Sequence, residues 1–219
     1  KNIYLKKERV APLFFSYLKK GGFIEIAKEE DDFKIKEYGK SILERTVFGD
    51  IPLIFKIKKP QILQSLLELT ASNPGFLLDY SKLAETLNYD QRLLADYVFY
   101  LKYGFLIKVL YNFSGSQFAS ERKLKKIYLT STNFIYQTHS DKFADPMFLG
   151  KIIENLTVAF TASQFFWRRR QDEVDLILPG NIPLEIKYKE KIIKADLKGL
   201  FKFSQRFKAK QAILLTKDE

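Results

Sequence analysis

Across 219 residues the chain is 46% hydrophobic and 15% aromatic, which excludes a disordered polymer and leaves room for two or three small packed units. It has no cysteine and one histidine, His139, which excludes disulfide and thiolate chemistry and argues strongly against a zinc centre. Lys and Arg outnumber Asp and Glu by 37 to 26, a net charge of +11, so the expected partner is a polyanion, nucleic acid before an anionic membrane, unless the lysines only solvate the surface.

No apolar run approaches the roughly 20 residues of a membrane span and no signal peptide is visible, so a cytoplasmic protein without a membrane contact is expected. Residues 1–57 read as a helical segment. Leu13, Phe14, Tyr17 and Leu18 recur at helical spacing over 10–19 until Gly21-Gly22, and Tyr38, Ile42, Leu43 and Val47 share one side of a second helix over 35–48. This is too little apolar surface for an independent domain, so the segment is expected to pack on something else.

Residues 58–135 carry a clearer pattern. Ile62, Leu63, Leu66, Leu67 and Leu69 define a helix that stops before Asn73-Pro74-Gly75. Asp79 or Ser81 can cap a second helix with Leu83, Ala84 and Leu87, after which Asn88 suits the left-handed conformation. Asp90 can cap a third, with Leu93, Leu94, Tyr97, Val98 and Leu101, ending at Gly104. Strands over 105–113 and 124–130 flank a polar loop. Three helices followed by a hairpin is the winged-helix order, in which the third helix enters the DNA major groove. That helix would present Gln91, Arg92, Asp96 and Lys102, and the hairpin would bring Arg122, Lys123, Lys125 and Lys126 to the backbone. Use of the same module to bind protein is the alternative.

Residues 132–142 read as a linker holding His139. Asp145-Pro146 then supplies a cap and a proline at the first helical position. The helix is expected to run to about Thr161, burying Leu149, Ile152, Ile153, Leu156 and Phe160, with Glu154 at the margin facing either solvent or a neighbouring sheet. A strand over 165–169 turns at Arg170-Gln171 into a strand over 174–178. Trp167 suits a core, and Arg168, Arg169 and Arg170 form either a solvated run or a phosphate-facing edge.

The richest stretch follows. Asp175 lies on one strand, Pro179-Gly180-Asn181 forms a turn, and Glu185-Ile186-Lys187 lies on the next. Alternation puts Glu185 and Lys187 on one side and Leu184 and Ile186 on the other. If the strands pair, Asp175 reaches the same spot, and two carboxylates with an ammonium are the minimum for holding a hard divalent cation against a phosphate. Residues 194–207 are amphipathic, with Leu197, Leu200 and Phe201 on one face and Lys194, Lys198, Lys202 and Arg206 as a basic stripe on another. A buried strand over 212–216 closes the chain.

A helix with Glu154, a strand, a strand with Asp175, a strand with Glu185 and Lys187, a helix and a strand follow one another in the order of the PD-(D/E)xK nuclease core. The run FFWRRRQDEVDLILPGNIPLEIKYKEKIIKADLKGLFKF resembles the C-terminal domain of archaeal and bacterial AAA+-type ATPases of the DUF4143 group, and SYLKKGGFIEIA resembles a segment found after their ATPase core, with Ile24 where proline is common. The resemblance covers nearly the whole chain. It implies an α/β (α+β overall) fold: helical segment 1–57, winged helix-turn-helix domain 58–135, and a restriction-endonuclease-like α/β domain with a mixed sheet over 140–219. It implies Mg²⁺ held by Asp175, Glu185 and the Ile186 carbonyl, Lys187 orienting the attacking water or offsetting charge on the phosphorane, and Glu154 completing an acidic site.

No G-x-x-x-x-G-K-[ST] occurs, so these residues are not expected to bind ATP, and a chain opening on Lys1 is expected to be the part of such an ATPase downstream of its nucleotide-binding core. DNA, an ATPase core or a partner protein are the implied partners. Arg122, Lys123, Lys125, Lys126, Arg168, Arg169, Arg170, Lys194, Lys198 and Lys202 are the candidate DNA contacts. A catalytically inactive DNA-binding or protein-interaction module is the alternative.

Overall fold

Four of the described helices begin where the sequence supplies an oxygen to hold the first free amides. Asp31 accepts from Phe33 N at the start of α2 (Asp32–Arg45), Asp79 from Ser81 N and Lys82 N at α5 (Tyr80–Leu87), Asp90 from Arg92 N and Leu93 N at α6 (Gln91–Tyr103), and Asp145 from Met147 N at α8 (Pro146–Phe160). Each such cap is worth about 1 kcal/mol. Asn88 ends α5 at φ 54°, in the left-handed conformation that Asn tolerates. A computed structural model of the chain describes residues 7–115 and 124–217, with side chains from Val10 onward.

The remaining α-helices among the described residues are α1 (Lys7–Lys20), α3 (Ile51–Phe55), α4 (Gln61–Ser72), α7 (Asn133–His139) and α9 (Lys198–Phe207). The expected helix over 35–48 is α2 followed by a single π turn, Thr46–Asp50, where Ile51 N–H reaches back to Thr46 O. Pro52 cannot donate to the preceding turn, and the chain re-forms a helix as α3. The expected linker over 132–142 is corrected: it contains α7, whose Phe134, Ile135 and Tyr136 are buried. Asn133 Nδ2 donates to Lys19 O at 2.9 Å and Ile35 O at 3.1 Å, so α7 ties α1 and α2 together. Seven residues with no side-chain cap carry too little pattern to stand out.

Among the described residues seven strands form one mixed sheet in the order β1-β3-β2-β4-β5-β6-β7: β1 (Leu77–Leu78), β2 (Ile107–Asn112), β3 (Lys125–Leu129), β4 (Phe165–Arg169), β5 (Asp172–Leu178), β6 (Ile182–Lys187) and β7 (Ile213–Thr216). The β2–β4 and β6–β7 pairs are parallel and the others antiparallel. The strands expected in a wing and those expected in a separate C-terminal domain are therefore continuous. Asn112 makes the join: its Nδ2 donates to Arg168 O at 3.0 Å and its Oδ1 accepts from Arg168 N at 2.8 Å, beside a Phe113 N to Phe166 O bond of 2.7 Å.

One apolar core runs from Leu18, Val47 and Ile51 through α4 and α6 to Ile152 of α8 and Leu176, Leu184 and Ile186 of the sheet. A second, formed by Trp167, Val174, Ile177, Leu200 and Phe203, lies between the sheet and α9. The protein is thus mixed α/β, with helices on both sides of the sheet. Two expectations of burial are corrected. Phe160, on the last turn of α8, is 67% exposed with its ring near Tyr17, and β7 is a half-buried edge strand. No helix among the described residues is long and apolar enough to cross a membrane.

The docking of α9 depends on Gly199, where a Cβ would stand 1.8 Å from Glu173 O. Gly199→Ala must push the helix off the strand. It is expected to lower stability by about 3 kcal/mol, read as a fall in the urea midpoint followed by emission from Trp167, which packs on Phe203 of that helix.

Candidate functional site

Val174 and Ile177 both pack toward α9 although they are three residues apart, which strand alternation forbids without an extra residue. The β4–β5 register supplies one: Phe165 pairs with Ile177 and Trp167 with Val174, so Asp175 and Leu176 together oppose Phe166. Such a bulge bends the strand and re-aims a side chain. Asp175 uses it to turn toward β6, where its Oδ2 accepts from Ile186 N at 2.8 Å. The turn joining the strands has Gly180 at φ 80° and Asn181 at φ 60°, left-handed positions that these two residues suit.

Glu154 arrives from α8. The helix is fastened to β3 by Asn155, whose side chain accepts from Leu129 N and donates to Leu129 O, both at 2.9 Å. Its neighbour Glu154 therefore faces the sheet, accepting from Tyr128 Oη at 2.6 Å and pairing with Lys126 Nζ at 3.4 Å. Lys126 also pairs with Glu173, which holds Arg168 at 3.4 Å. On β6, Lys187 Nζ is 2.5 Å from Glu185 Oε1, while Glu185 Oε2 is buried without a hydrogen-bond partner.

The structure thus brings Glu154, Asp175, Glu185 and Lys187 into one electrostatic cluster, and adds Lys126, Tyr128 and Glu173. Asp175 is 8% exposed and Glu185 5%. Burial pushes the Asp175 carboxyl well above the usual range, Glu154 and Glu185 push the same way, and Lys126 and Lys187 oppose them. Burial also raises Glu185, against the pull of Lys187. Burial alone would lower the Lys126 ammonium, but Glu154, Glu173 and Asp175 outweigh it and hold it protonated. Lys187 is raised in the same way, its desolvation being exceeded by Asp175 and Glu185. Burial and then Glu154 drive the Tyr128 hydroxyl well above its ordinary value, so it stays a donor.

The candidate DNA contacts are scattered. Arg122 and Lys123 lie outside the described residues. Lys126, 6% exposed, is turned into the acidic cluster and not toward solvent, while Lys125 lies over the Tyr80 and Tyr111 rings, 5.9 Å from each. Arg168 is half-buried against Glu173, and Arg169 and Arg170 stand exposed at the β4–β5 tip. Lys198 and Lys202 are paired with Asp172 at 3.4 and 2.6 Å, and Lys194 is exposed. Lys126 and Tyr128 alternate with Ile127 and Leu129 as in any strand, and nothing in that spacing says that the polar pair is also covered. Glu173 is masked by lying among four charged or polar neighbours.

A mixed α/β chain with a buried carboxylate–ammonium cluster at the junction of its halves is the class these observations define. The chain belongs to a family described as a domain of unknown function, DUF8612, whose model matches residues 11–137. That match takes in Lys126 and Tyr128 but ends before Glu154, Asp175, Glu185 and Lys187. None of the curated proteins and none of the solved structures compared with the chain matches it.

The raised Asp175 carboxyl sets a pH dependence. A folded-state pKa above the unfolded one gives stabilisation that is complete below the unfolded pKa and lost as pH rises through the folded one. Asp175→Asn removes that loss, and its amide oxygen can still accept from Ile186 N. It is expected to raise stability at pH 7 by about 1 kcal/mol, with the gain disappearing near about pH 4, in urea melts across that range. Lys126→Met has the opposite sign: leaving Glu154 and Glu173 unpaired is expected to cost roughly 3 to 5 kcal/mol at pH 7 and less as the carboxylates protonate.

Proposed function

We propose that the chain is a DNA-processing module in which a winged helix and a PD-(D/E)xK nuclease-like unit share one sheet, and that it hydrolyses phosphodiesters with Mg²⁺. The order α4, β1, α5, α6, β2, β3 supports the first unit. The order α8, β4, β5, β6, α9, β7 supports the second. The observation that carries the chemistry is the pairing of Asp175, bent by a bulge onto Ile186 N, with Glu185, which keeps one buried oxygen unpartnered.

Among the described residues no three His, Cys, Asp or Glu side chains are placed to hold one ion. Two carboxylates, the Ile186 carbonyl and waters suit Mg²⁺, which usually keeps several waters and takes one or two carboxylates. The unpartnered Glu185 oxygen and the upward pressure on both carboxyls fit a cation between them. When bound, the ion supplies Lewis-acid charge to the scissile phosphate and its attacking water. Lys187, held protonated, is a donor and a charge, not a general base, and orients a water or a phosphate oxygen. Glu154, engaged by Tyr128 and Lys126, shapes the field around Asp175.

On the same reading the chain corresponds to the portion of a cytoplasmic AAA+-type ATPase of the DUF4143 group downstream of its nucleotide-binding core, working beside that core or a partner protein. A second reading, an inactive DNA-binding module, is favoured by one observation: Lys126 and Lys187 already sit on the acidic oxygens, so the cluster partly neutralises itself.

Plasmid and branched DNA incubated with the protein in Mg²⁺ or Mn²⁺ separate the two. Cleavage that falls by about 100-fold or more in Lys187→Ala and Asp175→Asn is expected. Equal product from Lys187→Ala would reject the catalytic reading, and salt-sensitive binding without product would leave the binding module.

A further inference from the structure

The face of the sheet opposite α8 holds a second concentration of charge, of the other sign. A depression of about 400 Å³ lies between the tip of the β4–β5 hairpin and α9, lined by Trp167, Arg169, Arg170, Asp172, Lys202 and Arg206 among others. Asp172 is engaged by Lys198 and Lys202, which leaves three guanidinium groups. Among the described residues no carboxylate pairs with Arg169, Arg170 or Arg206.

Their placement is built from two elements. Arg169 pairs with Asp172 across the strands, which makes Arg170-Gln171 a two-residue turn, and Arg170 takes φ 56° there. Asn or Gly is the usual residue at such a position, so the backbone conformation comes at a local cost. Arg206 comes from the last turn of α9, its guanidinium 5.5 Å from the Phe207 ring centroid. Trp167 lies beneath, packed edge-on against Phe203 and Phe207. Three unpaired cations around one concavity repel one another, and an anion seated among them relieves that repulsion. Guanidinium forks match phosphate oxygens in pairs. A terminal phosphate carries a charge of about −1.5 to −2, which balances three arginines better than the single charge of a backbone diester.

We infer that Arg169, Arg170 and Arg206 form a binding site for a phosphate monoester, either the 5′-phosphate end of a nucleic acid or a free phosphate compound. The depression is lined by none of the residues of the acidic cluster, and the site does not require that cluster to cleave anything. Trp167 is the only tryptophan in the chain, so its emission reports on the depression directly.

The test uses the whole chain in EDTA, followed by Trp167 emission and by calorimetry. The titrants are an oligonucleotide with a 5′-phosphate, the same oligonucleotide with a 5′-hydroxyl, and inorganic phosphate. The phosphorylated oligonucleotide is expected to bind about tenfold tighter than the hydroxyl form. Arg206→Gln and, independently, Arg169→Gln are expected to erase that preference. Saturable binding of inorganic phosphate that is lost in both arginine variants, with the two oligonucleotides bound equally, assigns the site to a free phosphate compound. Equal affinity for the two oligonucleotides together with no saturable phosphate binding overturns the inference, as does a preference that survives both arginine substitutions.

Discussion

The buried ammonium of Lys126 joins segments that are far apart in the chain. It comes from β3, and its carboxylate partners come from α8 and β5. Alone in that position the ammonium would be too costly to bury, and so would either carboxylate. Together they hold α8 and β5 in register with β3, helped by Asn155 on the Leu129 backbone. The balance is not neutral. Glu154, Glu173, Asp175 and Glu185 face Lys126 and Lys187, with Arg168 at the rim, and burial first, then the charges of Glu154 and Glu185, drive the Asp175 carboxyl upward.

The same contact explains why the C-terminal strands cannot be considered apart from the rest. Their sheet continues through the parallel β2–β4 pair, where Asn112 stitches one backbone to the other, and their acidic cluster borrows Lys126 and Tyr128 from β3. The family match over residues 11–137 covers the part that lends those two residues, and the four residues proposed for chemistry lie beyond it. A chain cut between β3 and α8 would leave Lys126 without Glu154 and Glu173. It would also leave Glu154 without its tyrosine.

Local chemistry in this sequence was legible wherever one residue acts on its own neighbours. Asp79, Asp90 and Asp145 cap the helices they were expected to cap, Asn88 takes the left-handed position, and strands occur around Asp175 and Glu185. What escaped depends on partners distant in sequence. The β5 bulge exists because Val174 and Ile177 must both reach α9, and no feature of DEVDLIL announces an extra residue. The inward turn of Lys126 depends on Glu154 and Glu173 arriving 28 residues and more downstream, so a basic wing and a buried ion pair read alike along β3. The α7 segment is a helix because α1 and α2 close over Asn133, and its seven residues are too short to show a period.

The charge is arranged on two length scales that oppose each other. At long range the +11 surface draws a polyanion toward the protein, but at physiological ionic strength that attraction fades within about 8 Å. Inside that distance the acidic cluster holds more carboxylates than ammoniums, so a phosphate brought close by the surface is repelled by the residues proposed to act on it. Only added positive charge or protonation of an acid reverses the local sign, and Glu185 Oε2, buried without a hydrogen-bond partner, is where such charge is least opposed. At the depression beside α9 both scales agree: Arg169, Arg170 and Arg206 continue the surface field into a concavity. An anion can therefore rest in the arginine-lined depression unaided, whereas at the acidic cluster it needs a cation between itself and Asp175.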